Sequence, residues 1–215
     1  MGSKIEAHVN HLVDRYPKLI LCRDDIMAAY NLLEVAYSNS RKLLVCGNGG
    51  SASDSEHIVG ELMKEFKLKR KVYGDQATAL KEIDSDLGQV LADNLQGALP
   101  AISLTGHSSL QTAYMNDAVP ELVFAQQVNG YGKSGDVFLG ISTSGNSKNV
   151  LYAAVNAKAK GLKVIGLTGV KENKLMKYAD VCIRVPETET YKIQELHLPV
   201  YHCLCSMLED HFFGE

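Results

Sequence analysis

The chain has 215 residues, 46% of them hydrophobic and 22% charged, and a formal net charge of −3. That is enough material for one sizeable core in a single domain, 1–215, and it excludes a disordered, fibrous or disulfide-stapled chain. The densest basic cluster, Lys64 to Lys71, is broken by Glu65 and apolar residues, so charge gives no reason to expect nucleic-acid binding.

In chain order, Ile5, Val9, Leu12 and Val13, then Ile26, Ala29, Leu32, Leu33 and Ala36, recur at helical spacing. They predict an N-terminal helical pair within residues 1–40, broken near Tyr16-Pro17. Its apolar face must be covered either by the α/β core that follows, 41–215, or by another subunit. Leu43, Leu44 and Val45 then form the apolar run of a fully buried parallel strand. Gly47-Asn48-Gly49-Gly50 lets the backbone turn tightly, and Ser51, Ser53 and Asp54 are good N-cap residues for a helix starting among them. The free N–H groups of such a helix, behind a glycine turn, form an anion site. His57 and Glu61, four residues apart, share one face of it. The turn is not G-x-G-x-x-G and no G-K-[ST] follows, which argues against dinucleotide and nucleoside-triphosphate loops.

Phe66 to Gly74 reads as basic and extended, and Asp75 to Gly97 as one helical segment. Four strand-length apolar runs follow, Leu99–Thr105, Val137–Thr143, Lys163–Gly169 and Val181–Pro186. They alternate with helical stretches at Ser109–Met115, Pro120–Asn129, Lys148–Lys160 and Lys174–Ala179, and a long helix from Thr190 to about Phe213 closes the pattern. This predicts a three-layer, flavodoxin-like α/β fold around a five-stranded parallel sheet. Ile141-Ser-Thr-Ser-Gly-Asn-Ser147 leaves the third strand with four hydroxyls in six positions, a nest able to hold a phosphate without a lysine. Two anion-friendly loops on one sheet edge predict one phosphorylated ligand. Five cysteines (Cys22, Cys46, Cys182, Cys203, Cys205) without C-x-x-C spacing read as reduced, buried thiols. No signal-peptide pattern opens the chain and no apolar run approaches the ~20 residues of a membrane span. A soluble cytoplasmic protein is expected.

The motifs G-N-G-G-S (Gly47–Ser51), H-x-x-x-E (His57–Glu61), N-D (Asn116–Asp117), G-D-V-x-x-G-I-S-T-S-G-N-S (Gly135–Ser147), L-T-G (Leu167–Gly169) and I-Q-E-x-H-x-x-x-x-H (Ile193–His202) together resemble the sugar isomerase (SIS) domain proteins. Within these the pattern is similar to the phosphoheptose isomerases. The resemblance implies aldose-ketose isomerisation of sedoheptulose 7-phosphate to D-glycero-D-manno-heptose 7-phosphate, or of a related sugar phosphate, by a homo-oligomer, expected to be a tetramer. It implies that Ser51, Ser142, Thr143, Ser144 and Ser147 hold the phosphate. Asn48, Gly49, Gly50, Asn116, Asp117 and Gln194 would line the substrate, with Glu61 as base and His202 as acid. His57, Glu61, Gln194 and His202 would gather a metal, Zn2+ in several members. Non-catalytic phosphosugar sensors and replication-initiator-associating SIS proteins share the wider pattern and are the alternatives. Departures lie at Glu65, where the family commonly has Arg, near His107, where it has Asp, and in the extra segment around Asp75–Gly97. Pro199 is expected to bend the last helix, and His197 is a spare ligand candidate.

Overall fold

Every residue of the strand Leu43–Cys46 (β1) is buried, as its unbroken apolar run requires of a strand covered on both faces. The structure, a computed structural model, describes residues 2–72 and 74–214; Tyr73, in the basic segment, lies outside them. β1 lies inside a parallel sheet with Ala101–Ser103 (β2), Val137–Ile141 (β3), Lys163–Gly169 (β4) and Val181–Val185 (β5). The order is β2-β1-β3-β4-β5, with Leu43 opposite both Ala101 and Val137. Alternation along the strands sorts their side chains to two cores. Leu43, Val45, Leu139, Ile141, Ile165 and Leu167 face one layer, and Leu44, Cys46, Phe138 and Val164 the other. Phe138 is fully buried, so Phe138→Ala would cost about 3–5 kcal/mol.

The first layer holds the helices Gly2–Arg15 (α1), Arg23–Ser38 (α2), Gly50–Met63 (α3) and Thr190–Phe213 (α9). A 3-10 turn at Pro17–Cys22 joins α1 to α2. The apolar face of this N-terminal pair, including Val9, Leu12, Ile26, Ala29 and Leu33, is buried within the chain's own core. An oligomer is therefore not needed to hide it. α9 runs unbroken through Pro199.

Opposite lie Ser108–Asp117 (α6), Val123–Tyr131 (α7) and Lys148–Ala159 (α8). The expected helix from Pro120 begins as a 3-10 turn, Pro120–Leu122, and Lys174–Ala179 yields only a 3-10 turn, Leu175–Lys177. β2 is shorter than the apolar run around it because it pairs only with the four-residue β1 and is preceded by Pro100, which has no N–H to give. The segment from Asp75 is two helices, Asp75–Ile83 (α4) and Ser85–Asn94 (α5). Asp84 breaks it by capping α5, its carboxylate accepting from the N–H groups of Asp86 and Leu87 at 3.0 and 2.8 Å. Gly88 lets the two cross closely, since a Cβ there would stand 2.1 Å from the Leu80 carbonyl oxygen. Among the described residues, no helix is long and apolar enough to cross a membrane.

Candidate functional site

In a sheet of this order the chain leaves β1 toward one edge and β3 toward the other, so the loops after these two neighbours diverge and open a crevice. Both loops singled out by composition lie there. After β1, Gly49 adopts φ +57° and α3 begins at Gly50, earlier than the serines suggest. Backbone carbonyls close the turn: Ser51 N–H donates to Asn48 and Ala52 N–H to Gly49, at 3.1 and 2.9 Å. Ser51 is buried beneath it.

In the loop after β3, the Ser142 and Ser147 hydroxyls lie 3.0 Å apart, and the Ser144 hydroxyl accepts from Asn146 N–H at 3.2 Å. Gly145, at φ +62°, lies directly over Asn173. A reciprocal amide pair ties the two loops together: Asn48 Nδ2 donates to Asn149 Oδ1 at 3.0 Å and Asn149 Nδ2 to Asn48 Oδ1 at 2.8 Å. Thr143 and Ser144 wall a cavity that Lys171, Glu172 and Glu187 also line, so one cation and two carboxylates accompany the hydroxyls. The sequence reading missed Asn149 and Lys171. Asn116 and Asp117 sit exposed at the end of α6, bonded to each other at 2.8 Å.

The second part of the site is the contact between α3 and α9. The i,i+4 spacing brings His57 Nε2 to 3.0 Å from Glu61 Oε1. The His57 and His202 rings meet edge to face, centroids 5.0 Å apart. Glu61 Oε2 and His202 Nε2 are both buried without a hydrogen-bond partner. The His202 pKa is lowered, first by burial and then by His57, with Glu61 opposing; its ring is thus biased toward neutral. A carboxylate with one oxygen free of hydrogen bonds, 3.9 Å from the Lys64 ammonium, and such an imidazole beside it can take a proton from carbon and pass another between oxygens.

Gln194 packs on the start of α3, where a Cβ at Gly50 would stand 2.7 Å from its Nε2, about two turns of helix before His202 on α9. Among the described residues, no three His, Cys, Asp or Glu side chains are drawn together as a metal-binding group. Two imidazoles and a carboxylate are the donor types a divalent cation takes, and Glu61 Oε2 and His202 Nε2 are buried without a hydrogen bond, but the three side chains are not gathered around one point.

Two supports unseen in the sequence hold these helices. Tyr201, 1% exposed, places its hydroxyl 2.9 Å from His57 Nδ1 and 3.3 Å from Asp54 Oδ1. Arg70, 2% exposed, donates to the Leu62 and Glu61 carbonyls at the end of α3 (2.8 and 3.0 Å) and to Glu209 Oε1 at 2.8 Å. Glu209 also accepts from Phe66 and Lys67 N–H, each at 2.8 Å. His197, the spare candidate, is 0% exposed, its ring nitrogens reached by no more than a loose hydrogen bond with the Thr168 backbone. Burial pushes its pKa down to about 4, with the Thr168 backbone pulling the other way.

The SIS domain family profile matches residues 21–169. A phosphoheptose isomerase of Clostridium acetobutylicum is 35% identical over 218 aligned positions, spanning 100% of this chain and 98% of its own. One from Rhodospirillum rubrum is 36% identical, covering 98% of each. Among solved structures, a phosphoheptose isomerase from Neisseria gonorrhoeae superposes with a TM-score of 0.73 at 30% identity, over 97% of this chain and 98% of that one.

Proposed function

This chain belongs to the SIS domain family, within it to the phosphoheptose isomerase type, and from that premise we propose that it interconverts sedoheptulose 7-phosphate and D-glycero-D-manno-heptose 7-phosphate. The observation that carries the reading is the pair of buried acid and base atoms without a hydrogen bond, Glu61 Oε2 and His202 Nε2, one helix beyond two loops shaped for an anion. A protein that only binds a phosphosugar needs the loops alone.

The hydroxyls of Ser51, Ser142, Thr143, Ser144 and Ser147 take the phosphate. Asn48, Gly49, Gly50 and Gln194 border the sugar next to them, and Asn116 and Asp117 approach it from α6. Glu61 removes the proton from the carbon beside the carbonyl, and His202 carries one between the two oxygens, so that the double bond migrates without net change in protons. Zinc is the proposed cofactor, held by His57, Glu61 and His202, with Gln194 joining only if its side chain swings away from Gly50. When bound, it would polarise the substrate oxygens.

We further read the protein as a cytoplasmic homo-oligomer, a tetramer. The N-terminal pair no longer supplies the reason. The support is apolar surface elsewhere: Ile83 is 85% exposed and Leu87, Val90 and Leu91 accompany it on the α4–α5 hairpin. A mass near 23.5 kDa by light scattering would overturn the assembly. Exchange of substrate hydrogen with deuterated solvent tests the chemistry. The wild type is expected to exchange, and Glu61→Gln to fall ~10²–10⁴-fold with ligand binding largely kept. A metal-replete oligomer that exchanges no hydrogen with any sugar phosphate would leave only the binding function.

A further inference from the structure

We propose that the half-buried Asp54 and the buried Tyr201 form a carboxylate-phenol support that fixes the tautomer of His57, placing its proton on Nδ1 and leaving the Nε2 lone pair facing Glu61. The hydroxyl of Tyr201 lies between two acceptor-capable atoms, Asp54 Oδ1 at 3.3 Å and His57 Nδ1 at 2.9 Å. A phenol has one proton to give, and an ionised carboxylate can only accept. The hydroxyl therefore donates to Asp54, the charged and stronger acceptor. Its oxygen is left to accept, so the proton of the short contact comes from His57 Nδ1.

The other end of the ring follows. A neutral imidazole protonated on Nδ1 turns a lone pair toward Glu61 Oε1, held 3.0 Å away by the helix spacing. Two acceptors at that distance need a positive charge beside them, which the Lys64 ammonium, 3.9 Å from Glu61 Oε2, supplies in the metal-free protein and a cation would supply when bound. His202 Nε2, also without a hydrogen bond, lies on the ring that meets His57 edge to face. Metal-binding histidines are commonly oriented by a partner on the nitrogen away from the metal; here a tyrosine stands between the carboxylate and the ring. Asp54 and His57 share α3, while Tyr201 adjoins His202 on α9, so the helices that bear the reacting groups bear their support. The zinc part of this inference rests on the proposed metal site; the tautomer does not.

The test uses the full chain, labelled with ¹⁵N in its histidines and freed of metal by a chelator, at mildly alkaline pH where a free imidazole is neutral. Long-range proton-nitrogen spectra are expected to show His57 protonated on Nδ1. In Tyr201→Phe, which keeps the ring packing and loses only the hydroxyl, the proton should move to Nε2 and bond to Glu61. Zinc affinity, measured by competition with a chromogenic chelator, should fall ~10–100-fold, and Asp54→Ala should repeat both effects if the phenylalanine variant fails to fold. A wild type protonated on Nε2 overturns the proposal, as does a folded Tyr201→Phe whose tautomer is unchanged. Should the tautomer behave as stated while no sugar phosphate is isomerised, the support stands and the isomerase reading falls.

Discussion

The two halves of the site are built on opposite plans. Where α3 meets α9, Glu61, Arg70 and Glu209 are buried and the end of α3 is tied down: the Arg70 guanidinium holds its last carbonyls, and Glu209 holds both Arg70 and the chain that follows. At the ends of β1 and β3, the polar groups of the two loops are mostly hydroxyls and amides, and several of their atoms are spent only on one another, as in the Ser142–Ser147 and Asn48–Asn149 pairs. The difference follows from what each must do. Proton transfer fails if a group is misplaced by an ångström, whereas a phosphate brings its own charge and can replace hydroxyl-hydroxyl bonds with stronger ones.

The comparison breaks most visibly at the helix contact. Glu209→Gln leaves the guanidinium of Arg70 buried without a counter-charge, and the fold should lose about 3–5 kcal/mol. Replacing both residues with apolar ones of similar volume should cost far less. Urea unfolding decides it, and an unchanged midpoint for Glu209→Gln would show that the ion pair does not hold the helix.

Next comes His197, on the buried side of α9. Its folded pKa, about 4, lies below the ordinary 6.5, so the unfolded chain takes up the proton first as pH falls. Stability should be unaffected above pH 6.5 and decline through the window from 6.5 to about 4, by up to roughly 1.4 kcal/mol per pH unit. His197→Phe should flatten that part of the pH profile in thermal melts; a profile no different from wild type would mean the ring is solvated.

The smallest effect sharpens the contrast. Ser147→Ala removes one hydroxyl from the open loop and should weaken sugar-phosphate binding by about 1.5–3 kcal/mol, with the unfolding midpoint unmoved. Calorimetric titration beside urea unfolding checks both halves, and unchanged affinity would remove the loop from the site.

What the sequence made legible was whatever lies close along the chain. Apolar runs located the five strands, the i,i+4 spacing paired His57 with Glu61, and glycine and serine composition marked both loops. What escaped depends on which helix lies beside which. Periodicity places Tyr201 on a face of α9 but does not reveal that α3 is its neighbour, so the bond to His57 was invisible. Arg70 looked like one charge in a basic stretch, yet it is almost wholly buried because Glu209 and two carbonyls await it. The same limit hid the packing of Gln194 on Gly50 at the start of α3. Asp84 was legible in principle, since aspartate is a strong N-cap, but continuous apolar periodicity on both sides masked the break.

The seal on α3 also sets an order in time. Arg70 and Glu209 are 139 residues apart, a stretch that a ribosome takes on the order of ten seconds to make. Throughout that interval the nascent chain carries α3, its glycine turn and the arginine with no carboxylate to receive it. The helix that bears Glu61 can form early, but its end is fixed only when α9 emerges and docks. Competence for proton transfer thus arrives late in synthesis, well after the phosphate loops have been made.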